Sequence, residues 1–246
     1  MKIAVLADIH GNLEALQACM AHAEREGATL HVFLGDLVGY GADPVACLDL
    51  MADHAGRGAV VVKGNHDEAA LGGLCEVMNP VAREAIYWTR AQLDPAARSF
   101  LASLPLTAEL DDLFFVHASA DAPDEWEYIT SSVQAGRCMD ASGAAVSFGG
   151  HVHHQSLFFS AGSNVRAFQP VAGVPIPLVG RRRWLAIVGS VGQPRDGNNA
   201  AAYALFDDEE RLLTFFRVPY DHSSAARKII AAGLPERLAR RLQRGE

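Results

Sequence analysis

Lys2-Ile3-Ala4-Val5-Leu6-Ala7-Asp8-Ile9-His10-Gly11 is the stretch whose reading decides the fold. A short, continuous apolar run with β-branched members predicts a strand covered on both faces, as in parallel sheets. Asp8 stands at its carboxyl end, and open α/β sheets place their chemistry in the crevice outside the carboxyl ends of the strands. An Asp and a His two residues apart can converge on one point there. An apolar run ending in Asp is common by itself; this one gains weight because the construction recurs four more times.

Working outward, Asn12 reads as the N-cap of a helix with Leu13, Leu16, Met20 and Ala23 at helical spacing and Gly27 as its stop. His31-Val32-Phe33-Leu34 is a second run, closing on Gly35-Asp36-Leu37-Val38-Gly39, where Asp36 takes the place Asp8 held. Asp43-Pro44 supplies an N-cap and an N1 proline for a helix with Val45, Leu48 and Met51 inward. Ala59-Val60-Val61-Val62 leads into Gly64-Asn65-His66-Asp67. Residues 68–108 read as helical, with Asn79-Pro80 and Asp94-Pro95 opening helices and Trp88 and Leu93 inward. A fourth run, Leu113-Phe114-Phe115-Val116, ends at His117, and a fifth, Ala144 to Phe148, ends in Gly149-Gly150-His151-Val152-His153-His154. Beyond Gln155 only strands follow, with Asp207-Asp208-Glu209-Glu210 as a hairpin turn. They are expected to form a second sheet packed face to face on the first. Residues 223–244 read as helical, broken near Gly233-Leu234-Pro235.

The 246 residues are half hydrophobic and one fifth charged, a composition that suits a globular chain with a real core. A net charge of −8 argues against a surface that wraps nucleic acid. The four cysteines show no C-x-x-C spacing, which predicts reduced, buried thiols in a cytoplasmic protein. The first apolar run is too short for a signal peptide, and no stretch has the length of a membrane span. No repeat or linker interrupts the chain. One domain over 1–246 is expected, with a site-bearing half at 1–155, second-sheet strands at 156–218 and a helical tail at 219–246.

The strand ends collect Asp8, His10, Asp36, Asn65, His66, His117, His151 and His153. Carboxylate, imidazole and amide together suit a pair of borderline divalent cations. Asp36 is the natural bridge, since a shared carboxylate holds two cations roughly 3.5–4 Å apart, the separation used for in-line phosphoryl displacement. A water held between them becomes the nucleophile, so no serine or cysteine is needed.

The chain resembles the calcineurin-like metallophosphoesterases, whose pattern is D-x-H, G-D-x-x-G, G-N-H-D/E, a lone His after a strand, and G-H-x-H. Here these blocks stand, in order, as Asp8-Ile9-His10, Gly35 to Gly39, Gly64 to Asp67, His117 and Gly150 to His153. Gly189-Ser190-Val191-Gly192-Gln193-Pro194-Arg195-Asp196-Gly197 and the Asn79-Pro80 to Trp88-Thr89 helix are similar to the bacterial small phosphodiesterase-like branch. The resemblance implies an α/β fold of two packed mixed β-sheets flanked by helices, a four-layer αββα sandwich. It implies a first metal on Asp8, His10, Asp36 and His153 and a second on Asp36, Asn65, His117 and His151. It also implies that His66 binds the phosphate and protonates the leaving alkoxide, oriented by Asp67.

Arg195 is a candidate phosphate contact, and Tyr40 and Trp126 are candidate base-stacking residues. The simplest reading of His22, His31, His54 and His222 is surface or capping; that of Arg237, Arg240, Arg241 and Arg244 is a solvated helix face. The expectation is a binuclear metal-dependent phosphoesterase acting on a small phosphodiester or nucleotide, through a hydroxide bridging the metals. The ligand set accepts Mn²⁺, Fe, Zn²⁺ or Co²⁺, with Mn²⁺ expected to serve in assay. The alternatives are a dinucleoside-polyphosphate hydrolase or Ser/Thr protein phosphatase, and a non-catalytic protein-binding scaffold. The scaffold reading suffers because every ligand and His66 are present. A homo-oligomer is left open.

Overall fold

A computed structural model describes residues 1–73, 75, 78–178 and 180–246. In chain order the first half contains β1 (Lys2–Leu6), α1 (Leu13–Arg25), β2 (Leu30–Leu34), α2 (Pro44–Gly56), β3 (Val60–Val62), α3 (Asn65–Ala70), α4 (Pro80–Gln92) and α5 (Pro95–Ser103). Then come β4 (Thr107–Leu110), β5 (Leu113–Val116), α6 (Ser132–Ser142), β6 (Val146–Gly149), β7 (Gln155–Ala161) and β8 (Asn164–Phe168). The chain closes with β9 (Ile176–Pro177), β10 (Trp184–Val188), β11 (Ala201–Asp207), β12 (Leu212–Val218), α7 (His222–Ala231) and α8 (Glu236–Arg244).

Two mixed six-stranded sheets form, ordered β3-β2-β1-β11-β12-β9 and β4-β5-β6-β10-β7-β8. β1 shows why its sequence reads as apolar throughout. Ile3 and Val5 face the second sheet, clustering with its Phe115 and Phe148 and with Phe206 of their own sheet, while Ala4 and Leu6 face α1, α2 and α5. On the outer face of the second sheet α6 packs Cys138 and Met139 against Leu185 and Ile187. The four-layer αββα sandwich expected from the sequence is thus the observed fold.

The division of strands between sheets differs from expectation. β5 and β6 belong with β10, β7 and β8, and the β11–β12 hairpin joins the first sheet instead. β1 is covered on both faces and also needs a neighbour on each edge. β2 supplies one in parallel, and β11 supplies the other antiparallel, with Val5 opposite Ala204. β4 is a strand within the reach read as helical, and the helical expectation at 74, 76 and 77 lies outside the described residues.

The helix starts follow the predicted caps at three places, where Asn12, Asn79 and Asp94 accept from Ala15, Ala82 and Ala97 N–H. Asp43 occupies the N-cap of α2 but makes no capping bond; its carboxylate takes the Lys228 ammonium at 2.8 Å instead. His31 is buried, stacked on Phe33 and edge-on to His54, because its place on β2 points it under α2. All four cysteines are free and buried. Among the described residues no helix is long and apolar enough to cross a membrane.

β1, β2 and β3 are mutually parallel, as are β5, β6 and β10, and both sets deliver their carboxyl ends to one edge of the sandwich. Phe148 stacks on Phe115 at 5.5 Å and meets Phe206 of the other sheet edge-on at 5.7 Å, with no solvent exposure. Phe148→Ala is expected to cost about 3–5 kcal/mol of unfolding free energy, read as a fall in the denaturant midpoint at unchanged slope. A loss below about 1 kcal/mol would show that the two sheets do not share this core.

Candidate metal centre

The segments that follow β1, β2 and β6 turn through backbone that L-residues rarely adopt. Asp8, His10, Asp36, Tyr40, Trp126, His151 and His153 all have positive φ, between 50° and 66°; among the described non-glycine residues only Asp111 and Arg211 share it. Asp and His tolerate this region better than most, whereas for Tyr40 and Trp126 it is a real outlier, worth roughly 1–3 kcal/mol each. The turns re-aim consecutive side chains into one pocket. They are held by a ladder that continues past the strands, with Asp8, His10 and Gly11 N–H donating to Gly35, Asp36 and Leu37 C=O. Gly64 permits a close approach to the bridging carboxylate: a Cβ there would lie 2.2 Å from Asp36 N and 2.3 Å from its Oδ1.

Two donor groups result, Asp8, His10, Asp36 and His153, and Asp36, His117 and His151, with the ligand atoms of each within 4.8 Å of one another. Asp36 is common to both. Its Oδ2 lies 3.7 Å from His10 Nε2 and 3.5 Å from His117 Nε2, while Oδ1 accepts the His66 N–H at 2.8 Å. Asn65 Oδ1 stands 3.2 Å from His117 Nε2. The sequence-predicted ligands are therefore all brought together.

The donor chemistry of this set is that of a cation site. The Nδ1 atoms of His10, His117 and His153 face the carbonyls of Val38, Leu34 and Gln193 at 3.2, 2.7 and 2.6 Å. A carbonyl only accepts, so each Nδ1 carries the proton and each Nε2 presents a lone pair inward. Yet His10 and His153 Nε2 are 3.2 Å apart, and His117 Nε2 is 3.1 Å from His151 Nδ1. Lone pairs so aimed repel unless a positive charge lies between them. Donors bonded to one cation at about 2.0–2.2 Å sit about 3–3.5 Å from one another, which is the spacing observed. Asp8 Oδ1 and His151 Nε2 are also buried without hydrogen-bond partners. The residues fit divalent metal ions.

Titration follows the same demand for positive charge. Burial works against the Asp8 carboxylate, but the neighbouring His153 and His117 win and hold it down to about 2. Burial likewise opposes a charge on His117, yet Asp36 beside it pushes it up to about 9, so the pocket favours positive charge at this point. Burial holds His151 down to about 3, with the His117 charge adding to the effect.

His66 is buried, its ring 4.8 Å from His10 and 4.5 Å from Tyr40, and it lines a cleft of about 910 Å³ with Asn65, His151, Trp126 and Tyr128. Asp67 does not orient the His66 ring. Its carboxylate is occupied by backbone, accepting from Leu37 and Val38 N–H on one oxygen and from Gly64 N–H on the other. A side chain bound this way locks the Asp36 loop to the His66 turn, and so places His66 through the main chain. Burial, with Asp36 adding to it, pushes the Asp67 carboxyl up to about 7.

Of the predicted substrate contacts, Tyr40 packs against His10 and His66 with the Arg195 guanidinium 5.8 Å from its ring centre, and Trp126 stands edge-on to His117 at 5.9 Å. Three neighbours were not singled out by sequence. Tyr128 stacks on His151 at 3.9 Å, Gln193 orients His153 through its carbonyl, and Arg241 reaches the Gln193 side chain. Arg241 thus corrects the reading of α8 as a purely solvated arginine face. His154 is exposed, and its Nε2 engages the Arg195 carbonyl at 2.6 Å.

Comparison with known proteins agrees with this geometry. The sequence model of the calcineurin-like phosphoesterase family matches residues 1–155. An uncharacterized protein of Methanocaldococcus jannaschii is 34% identical over 251 residues, covering 98% of this chain and 96% of that one. The crystal structure of a metallophosphoesterase from Sphaerobacter thermophilus superposes with a TM-score of 0.89 at 37% identity, covering 100% of this chain and 99% of that one. A hypothetical protein from Pyrococcus horikoshii OT3 shares the fold at a TM-score of 0.81 and 20% identity, over 100% and 98% of the two chains. With its Asp/His cluster at the strand ends, this chain belongs to the calcineurin-like phosphoesterase family, whose members are metal-dependent phosphoester hydrolases.

Proposed function

We propose that the protein is a binuclear phosphoesterase that hydrolyses small phosphodiesters or nucleotides. The observation that carries this reading is the position of Asp36 Oδ2 between His10 and His117 Nε2, the one carboxylate common to both donor groups. One ion would be held by Asp8, His10, Asp36 and His153, the other by Asp36, Asn65, His117 and His151. When bound, two such ions supply Lewis-acid polarisation of the phosphoryl group and a water activated for attack near neutral pH.

The chain's own residues supply the rest. Backbone carbonyls fix three imidazoles against rotation, so the site is arranged before any substrate arrives. His66 is the general acid that protonates the departing oxygen. Burial holds its imidazole down to about 4, so at neutral pH it is uncharged until an anionic phosphate beside it supplies the missing stabilisation. Protonation of His66 is therefore coupled to substrate binding. Gly39 makes room for it, since a Cβ there would lie 2.4 Å from His66 Nδ1. Trp126 and Tyr128 form an aromatic wall for a base or aryl leaving group, with Tyr40 on the other side of His66. Four free, buried thiols support a cytoplasmic setting.

Metal analysis of protein loaded with Mn²⁺ and freed of excess is expected to give two ions per chain, with chelation abolishing hydrolysis of bis(p-nitrophenyl) phosphate and lowering the melting temperature. A ceiling of one ion per chain would sink the binuclear reading. For His66→Gln, kcat on an alkyl phosphodiester is expected to fall about 10²–10⁴-fold while metal content holds. The loss should shrink to a few-fold with p-nitrophenolate, which leaves without a proton; equal losses on both substrates would remove His66 from the acid role.

A further inference from the structure

Beside the metal centre the segment from Gly189 to Gly197 is pinned to the end of β1. Val191 and Gly192 N–H donate to the Ala7 and Asp8 carbonyls, and Ser190 Oγ also donates to Asp8 C=O. Its Arg195 is held at both ends of its own backbone, by His153 C=O on its N–H and by His154 Nε2 on its carbonyl. The C-terminal helix α8 is fastened to the same segment, through Gly197 N–H on Gly245 C=O at 2.9 Å and Asn199 Nδ2 on Gln243 C=O at 3.1 Å. That fastening needs no arginine.

Two guanidiniums nevertheless converge there. Arg195 donates to Gln193 Oε1 from Nε and Nη2 at 3.3 and 3.0 Å, and Arg241 donates to the same oxygen from Nη1 at 3.4 Å. Among the described residues no carboxylate lies within ion-pair distance of either guanidinium. A neutral amide oxygen is thus the shared acceptor of two cations, with no carboxylate in contact with either. Had the only task been to fasten α8, a carboxylate at position 193 would have done it with less repulsion. Arg195 also reaches the site itself, over the ring of Tyr40, which in turn packs on His10 and His66. Gln193, only 1% exposed, joins the two functions, since its carbonyl orients His153 and its amide gathers the arginines.

We infer that Arg195 and Arg241 form a second anion subsite next to the metal centre, and that the substrate carries a second phosphate group beside the one that is cleaved. A nucleoside diphosphate, a dinucleoside polyphosphate or a bisphosphate has this form; a simple monoanionic diester does not. Guanidinium groups suit it because each offers a planar fork of donors that phosphate oxygens match two at a time. The inference rests on the phosphoesterase reading and narrows its substrate class.

Two measurements test it. Inorganic pyrophosphate titrated calorimetrically into chelator-treated protein should bind at least tenfold more weakly to Arg195→Gln and to Arg241→Gln than to the wild type, with Arg241→Lys recovering part of the loss. Wild-type affinity in both glutamine variants would overturn the subsite. On the Mn²⁺-loaded protein, AMP and ADP compete against bis(p-nitrophenyl) phosphate. The wild type should favour ADP at least tenfold, and Arg241→Gln should bring the ratio near one; an unchanged ratio would also overturn the inference. Should no metal support hydrolysis while pyrophosphate is still captured through Arg241, the phosphoesterase reading fails and the anion subsite stands.

Discussion

Two carboxylates buried at the seam between two sheets set the terms for everything else. Asp8 and Asp36 have no solvent exposure to speak of, and an unpaired buried charge is among the costliest things a fold can contain. Imidazoles crowd them on all sides, yet the imidazoles turn lone pairs, not protons, toward one another. The contradiction resolves only with positive charge in the gap, either a proton on His117 or a metal ion. Catalytic capacity and electrostatic need are thus the same fact: the site is a deficit that a divalent cation fills.

The backbone shows how the fold came to bear that deficit. Seven site residues sit in left-handed conformations in the loops beyond otherwise regular strands, and the ladder from Asp8 to Leu37 and the three N–H bonds of Asp67 hold the first of these turns shut. Asp67 is instructive here. Its place in the G-N-H-D block invites a catalytic role for its carboxylate, whereas the bonds it makes are those of a brace. A residue can be indispensable to a site by welding two loops together.

Much of the molecule was legible in the chain. The five strand-end blocks gave every donor in the cluster, because a β-run followed by Asp or His leaves a signature within four or five residues. The caps at Asn12, Asn79 and Asp94 were equally local. What failed was non-local. Nothing in Ala201 to Val218 distinguishes a hairpin that joins the first sheet from one that joins the second, since both alternatives present the same apolar faces; the free edge of β1 decides it. His31 looked like a surface residue because its burial comes from α2, not from its own strand. Arg241 looked solvated because its partner, Gln193, lies 48 residues away, and a helix rich in arginine carries no mark of which one turns inward. Asp43 matched a capping pattern but found a stronger partner in Lys228.

The carbonyl that steadies His153 belongs to Gln193, and the atoms that brace the end of β1 belong to Ser190, Val191 and Gly192. In chain order the candidate ligands from Asp8 to His153 all precede this buttress, the last of them by 40 residues. Residues 189–197 therefore complete, from late in the chain, a cluster whose side chains all come from before them.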